Sequence, residues 1–336
     1  MYSRQCNKYK KTKENMKKIH SIVLIANIFY NSTFPIEPQL TPENTVINFD
    51  LDKVLIDKNK YILYPRILFN GIWQDPFNAI NFIYALYNFK NAYTKDAHEN
   101  ERIYDQAGNK INGLTFQFLY HGIRDPKITP YVANILKTIE SSRTSIPGSI
   151  KICKYLKYNK GYTINFATNK DHVSYELTAQ AFGDEFTNIP TKVFIAHPGN
   201  NQTFLDQIKV FADRPTTPAD YKELAYKSLE AQPTDTIFHA PSSKPDLAYF
   251  KYMEKIIDGN KNLIFIDDQK ANAEGFNQLQ KNSAALRVGI YFKNPVQLAD
   301  ELIKLGILSP TEDKQLLDDI GYPHMMKIYT CAHVNA

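Results

Sequence analysis

Thr45-Val46-Ile47-Asn48-Phe49-Asp50-Leu51-Asp52-Lys53-Val54-Leu55-Ile56 begins as a short apolar run rich in β-formers and carries two carboxylates at its end. Val46, Ile47 and Phe49 read as a strand over about 45–49, buried on both faces of a parallel sheet. An open α/β sheet binds its ligands beyond the carboxyl ends of its strands, so Asp50 and Asp52 stand where chemistry would occur. Side chains two apart in a strand point the same way, and both acids are expected to face one site. Carboxylates that close repel, so a metal cation, an ammonium or a retained proton must compensate.

Downstream, the same strand-then-polar-end pattern recurs. After Ile146-Pro147-Gly148, a helix over 149–158 leads to a strand at Tyr162–Ala167, which ends in Thr168-Asn169-Lys170. A helix over 171–182 and a strand at Lys192–Ala196 follow. The connection to the next strand, Thr236–Ala240, is long for a crossover and holds two expected helices, 204–211 and 218–231. That strand runs into Ser243-Lys244-Pro245-Asp246 and a helix over 247–257. Asn262-Leu263-Ile264-Phe265-Ile266 is the clearest strand, followed by Asp267-Asp268 and then Asn272. A strand at 285–292 and a helix at 295–305 complete an α/β fold, a three-layer Rossmann-like parallel sheet.

The first and second strands are separated by residues 57–145, which break this rhythm. Asp75-Pro76 reads as a helix start, with Ile80, Ile83, Tyr84, Leu86 and Tyr87 on a broad apolar face over 77–90. Thr129-Pro130 starts another, with Val132, Ile135, Leu136 and Ile139 on one side. Leu114 to Leu119 and an Asn-rich stretch at 88–112 lie between them. The aromatics Trp73, Phe77, Phe82, Tyr84, Tyr87, Phe89 and Tyr93 are expected in the core of this insertion or lining a pocket.

A parallel sheet brings its strand ends to one edge. Asp50, Asp52, Thr168, Lys244, Asp267 and Asp268 are therefore expected together. Four carboxylates carry a charge of −4. At an effective dielectric of about 20, each like-charged pair about 4 Å apart costs about 4 kcal/mol. One lysine does not offset that, whereas a divalent cation with Lys244 does. Hard oxygen ligands favour Mg²⁺ over zinc or copper. The composition of the strand ends thus calls for a metal and an anionic ligand.

These motifs, in this order, resemble those of the haloacid dehalogenase superfamily, most of whose members are magnesium-dependent phosphatases. The resemblance covers about residues 45–306, apart from the insertion at 57–145 and the long connection at about 197–235. It implies a nucleophilic, metal-binding Asp50 and a general acid and base at Asp52, itself counted with the metal set. It implies phosphate binding by Thr168, Asn169 and Lys244. Asp268 is implied as a direct Mg²⁺ ligand, with Asp267 as helper and Asn272 as support for the loop. It makes 57–145 a mostly helical cap over a core of 45–56 and 146–308, preceded by 1–44 and followed by a tail at 309–336. The stretch at 197–235 is then either a second cap element or a decoration. The expected reaction is hydrolysis of a phosphate monoester, on a small phosphorylated molecule or a phosphoprotein. One departure is visible: Lys53 stands where the family often has Gly. A dehalogenase of the same fold would need neither Asp52 nor the Asp267–Asp268 pair. A phosphotransferase or mutase, or a non-catalytic binding protein of this fold, is the alternative reading.

The 336 residues suffice for a large core and about two structural units. Of the net charge of +5, residues 1–18 hold +6 (seven bases and Glu14), so the rest carries −1. A body without a basic bias is not expected to bind nucleic acid. Cys6, Cys153 and Cys331 are too scattered for a disulfide framework or a metal motif. Met16-Lys17-Lys18 followed by the mostly apolar Ile19–Tyr30 reads in two ways. It is a signal-like segment over about 16–34, which would export the chain or touch a membrane, or a basic tail with an apolar piece packed on a cytoplasmic domain.

Overall fold

A computed structural model of the chain describes residues 39–58, 65–66, 69, 80, 83–84, 87, 103–104, 110–111, 113–196 and 202–323. From Leu40 onward the chain forms one compact unit. The signal-like segment lies outside the described residues. Among those described, no helix is long and apolar enough to cross a membrane.

Ten strands are described: β1 (Thr45–Phe49), β2 (Ile56–Lys58), β3 (Ile103–Tyr104), β4 (Lys110–Ile111), β5 (Arg143–Ser145), β6 (Thr163–Ala167), β7 (Lys192–Ala196), β8 (Ile237–Ala240), β9 (Asn262–Asp267) and β10 (Arg287–Tyr291). Six of them make one parallel sheet in the order β10-β9-β1-β6-β7-β8. The quoted stretch is therefore central, with Ile47 beside Ile164 on one side and Ile264 on the other. The described helices are α1 (Leu114–Arg124), α2 (Val132–Ser141), α3 (Pro147–Tyr158), α4 (His172–Phe182), α5 (Asp184–Thr187), α6 (Gln202–Ala212), α7 (Ala219–Glu230), α8 (Leu247–Ile257), α9 (Lys270–Asn277), α10 (Pro295–Lys304) and α11 (Lys314–Asp319).

Alternation along β1 divides the core. Ile47 and Phe49 join Ile164, Phe166, Ile264 and Ile266 on one face, against Ile152 and Leu156 of α3 and Leu298 and Leu302 of α10. Val46 joins Leu263 and Phe265 on the other, against Tyr249, Phe250 and Met253 of α8 and Phe276 of α9. The sheet with helices on both faces is the expected three-layer α/β fold. Expected and observed strands agree to within two residues. The terminal helix α11 buries Leu316 and Leu317 in the first of these clusters. At the sheet edge, the N–H groups of Arg287 and Gly289 in β10 donate to the side chains of Gln280 and Asn277, each at 2.6 Å.

The insertion after β1 leaves and rejoins the core through the antiparallel pair β2–β5, with Lys58 opposite Arg143. A third hydrophobic cluster lies beyond it. Phe116, Leu119 and Tyr120 of α1 and Val132 and Leu136 of α2 pack with Phe204 and Ile208 of α6 and Tyr221 and Leu224 of α7. Phe204 meets Phe116 and Tyr120 edge-on, with centroids 6.4 and 5.7 Å away, and the Tyr221 hydroxyl donates to Leu119 O at 2.9 Å. Burying one such aromatic contributes about 1.5–3 kcal/mol. The two helices of 202–230 thus share one hydrophobic core with the helices of 114–141.

Three expectations for the insertion change. The start at Thr129-Pro130 is a short 3₁₀ turn, Thr129–Tyr131, and the α-helix begins at Val132. The Thr129 hydroxyl donates back to Gly122 O at 2.6 Å, a carbonyl in the last turn of α1, and does not cap the N-terminus of the helix that follows. The pair β3–β4 places a small antiparallel ladder in the stretch read as polar and Asn-rich. Ile80, Ile83, Tyr84 and Tyr87 are helical but exposed, Ile80 at 83% and Tyr87 at 63%, so the apolar stripe there faces solvent. Trp73, Phe77, Phe82, Phe89 and Tyr93 lie outside the described residues.

Candidate active site

Four strand ends meet. Asp50 follows β1, its N–H bonded to Ile266 O at 2.8 Å, and Asp267 ends β9. Thr168 follows β6, its N–H bonded to Phe194 O at 2.9 Å, and Lys244 lies in the turn between β8 and α8. Asp50, Asp52, Lys53, Thr168, Asn169, Lys244, Asp268, Gln269 and Asn272 line one cavity. Both acids of the quoted stretch line it, although β1 ends at Phe49 and the strand alternation does not run on to Asp52. The chain reverses immediately after Asp50. Lys53 N–H donates to Ile56 O at 2.6 Å, and Leu55 and Ile56 N–H return to Leu51 O. Lys53 takes φ +60°, the left-handed region in which Gly is free of strain, so a lysine here carries a backbone cost.

Asp50, Asp267 and Asp268 each present an oxygen within 4.8 Å of the others, an arrangement able to hold a metal ion. Lys244 Nζ lies 2.8 Å from Asp50 Oδ1, 2.6 Å from Asp267 Oδ2 and 2.9 Å from Ala167 O. An ammonium has three hydrogens, and two of them go to Ala167 O and Asp267 Oδ2, while Asp50 Oδ1, in ion-pair contact, is buried without a hydrogen-bond partner. Asp267 is fully buried, and its other oxygen accepts from Gln269 N–H at 2.8 Å and Asn272 Nδ2 at 3.0 Å. Asn272 is also buried, and its Oδ1 has no hydrogen-bond partner. Asp268 is more open and pairs with Lys53 at 3.4 Å.

Burial pushes Asp50 well above the ordinary carboxylate value; Lys244 opposes the shift, while Asp267 and Asp52 add to it. Asp268 is raised by burial and by Asp267, against the pull of Lys53. Burial disfavours the charged ammonium of Lys244, yet Asp267 and Asp50 outweigh it and raise its proton affinity.

Asp52 lives in the opposite field. Arg143 Nη1 donates to its Oδ1, and Lys170 Nζ lies 3.6 Å away. Behind them Glu140, fully buried, accepts from Arg143 Nη2 at 2.9 Å, Lys170 Nζ at 2.6 Å and the Thr178 hydroxyl at 2.7 Å. Burial alone would raise Asp52, but Lys170, Arg143 and Lys58 prevail and hold it at about 2. The same two nearest cations hold Glu140 down against its burial.

Two expected site residues have these partners. The carboxylate of Asp52 is engaged by Arg143 and Lys170, and the metal-competent group among the described residues comprises Asp50, Asp267 and Asp268. The Asn169 side chain, which lines the cavity, accepts from Lys244 N–H at 2.8 Å and donates to Lys244 O at 3.3 Å. Thr168 lines the cavity, and its hydroxyl oxygen accepts from Lys170 N–H at 3.2 Å. None of the described aromatics lines this cavity. Sequence reading missed Arg143, Glu140 and Lys170. Lys170, two residues after Thr168, had a positional signal; Glu140, at the end of an apolar helix face, had only its oddity.

The oxygen donors fit a hard divalent cation. Three clustered carboxylates share one buried lysine, and the unpartnered Asn272 Oδ1 adds a further buried acceptor. The chain matches no family model and no curated protein.

Proposed function

We propose that this chain is a Mg²⁺-dependent phosphatase of the haloacid dehalogenase type, acting on a small phosphate monoester through an aspartyl-phosphate. The supporting observation is the meeting of Asp50, Asp267 and Asp268 within 4.8 Å beside Lys244 and Thr168 at the carboxyl edge of the sheet. Asp50, Asp267 and Asp268 would hold the ion. Bound there, Mg²⁺ supplies Lewis-acid neutralisation of the phosphate charge and relieves the repulsion among the three carboxylates.

Asp50 attacks phosphorus through a carboxylate oxygen, and the bond from phosphorus to the ester oxygen breaks. The departing oxygen keeps the electron pair and takes a proton from Asp52. Asp52 is ionised in the free site, so the proton it delivers is one it takes from solvent once the negative charge of a bound phosphate opposes Arg143 and Lys170 and raises its proton affinity. In the second step a water oxygen attacks phosphorus, its proton passes to Asp52, and the bond to Asp50 breaks to release inorganic phosphate. The Thr168 hydroxyl and the Lys244 ammonium stabilise the transferring oxygens.

Hydrolysis of p-nitrophenyl phosphate, with Mg²⁺ and with EDTA, tests this reading. Turnover should require Mg²⁺ and fall at least about a thousandfold in Asp50→Asn, since no covalent path remains. Absence of turnover together with absence of Mg²⁺ binding by calorimetry would defeat it.

A further inference from the structure

The cation pair on Asp52 has two origins. Lys170 comes from the core, just before α4. Arg143 comes from the insertion: it opens β5, opposite Lys58 of β2, where that segment rejoins the core. Glu140, which grips Arg143, ends helix α2 of the insertion, and its remaining bonds go to Lys170 and to Thr178 of α4. These side chains are dry: Arg143, Lys170 and Glu140 are 3%, 2% and 0% exposed, whereas the carboxylate they support is 40% exposed toward the cavity. A ligand in the cavity would meet Asp52 and not the cations behind it. None of Asp52, Arg143, Lys170 and Glu140 belongs to the group of acids able to hold a metal among the described residues. The cations are therefore no anion site. They form a backing that aims one carboxylate.

We propose that Arg143, held by Glu140, is a positioning residue through which the point where the insertion rejoins the core orients Asp52 for proton transfer. This rests on the phosphatase reading above. An arginine suits the task because its rigid guanidinium engages Glu140 on one side and Asp52 on the other at once. A lysine would reach only one of them.

The experiment compares phenyl phosphate with p-nitrophenyl phosphate, two esters of similar shape, of which the nitrophenolate leaves without help from an acid. Wild type, Arg143→Gln and Arg143→Lys are measured with Mg²⁺. Arg143→Gln should lower kcat on phenyl phosphate by about tenfold to a hundredfold and on p-nitrophenyl phosphate by distinctly less. The KM values and the Mg²⁺ concentration for half-activation should stay within about threefold. Arg143→Lys should restore part of the loss. Should Arg143→Gln not fold, the isosteric Glu140→Gln, which loosens Arg143, should show the same inequality between the two esters. An equal loss on both esters, or an unchanged kcat, overturns the positioning role and leaves the phosphatase reading standing. No turnover of either ester by the wild type, together with no Mg²⁺ binding by calorimetry, overturns that reading, and the positioning role with it.

Discussion

Asp50 and Asp52 are two residues apart and face one cavity, yet their surroundings are of opposite sign. Asp50 sits among like charges, Asp267 and Asp268, with a single lysine, and burial makes its ionised form unfavourable. Asp52 sits against Arg143, Lys170 and Lys58, and its ionised form is favoured. The first environment is deficient in positive charge and suits an added cation. The second sets three cations against Asp52 and Glu140 and needs no added cation. Chemistry that asks one acid to attack and the other to exchange a proton needs such a difference, and here two different parts of the chain provide it. The sheet edge supplies the acids around Asp50, and the insertion, where it rejoins the core, supplies Arg143 and Glu140 near Asp52.

The most forceful way to break the second environment is Glu140→Ala. It leaves Arg143 and Lys170 buried with only half-exposed Asp52 to share. Removing one partner of a buried ionic network costs about 3–5 kcal/mol, and denaturant unfolding should show a loss of that size. A loss under about 1 kcal/mol would mean that water reaches the network and screens it.

A gentler pair of substitutions sharpens the contrast. Without Mg²⁺ at neutral pH, Asp50→Asn should stabilise the fold by about 1 kcal/mol, since it removes a disfavoured charge. Asp52→Asn should destabilise it by about 1 kcal/mol or less, because the carboxylate is 40% exposed and partly screened. The pH dependences differ in the same sense. Asp52 has a depressed native value, so its contribution is present above its ordinary 3.8 and is lost as pH falls through about 2. Asp50 has a raised native value. Its unfavourable contribution is absent below 3.8 and grows as pH rises toward that value. Thermal melts of both variants across this range check the signs. Two variants shifting the same way would deny the contrast.

The smallest effect concerns the turn between them. Lys53→Gly relieves a left-handed residue and gives up a largely exposed pair with Asp268. The net change should be a gain of under about 1 kcal/mol, partly offset by the freer unfolded chain. Thermal melting of the variant beside wild type reads it, and a clear loss of stability would show that the Asp268 pair matters more than the strain.

Much of this architecture is legible in the sequence because it is written locally. The run Val46 to Phe49 and the run Leu263 to Ile266 announce buried strands, and the acids at their ends follow from chain order. Partnerships across long separations are not written that way. Arg143 lies 91 positions from Asp52, and nothing in the helix pattern around Ile139 says that the next residue, Glu140, grips an arginine and a lysine. The union of 114–141 with 202–230 in one core is equally silent, since an amphipathic stripe states that a face is apolar but not what covers it. The exposed Ile80 and Tyr87 show the same indifference in reverse: the period is helical, and the face meets solvent. The departure at Lys53 was visible, but its meaning, a positive φ, required the turn itself.

The side chains of Gln280 and Asn277 on β10 bear on how copies of this molecule behave in a crowd. An edge strand with free N–H groups is a template for a second chain to pair with. At Arg287 and Gly289 those donors are already engaged within the molecule, so an incoming strand would first have to displace two good hydrogen bonds. Two side-chain amides thereby oppose extension of the sheet at this edge, where a second copy would otherwise find two free donors.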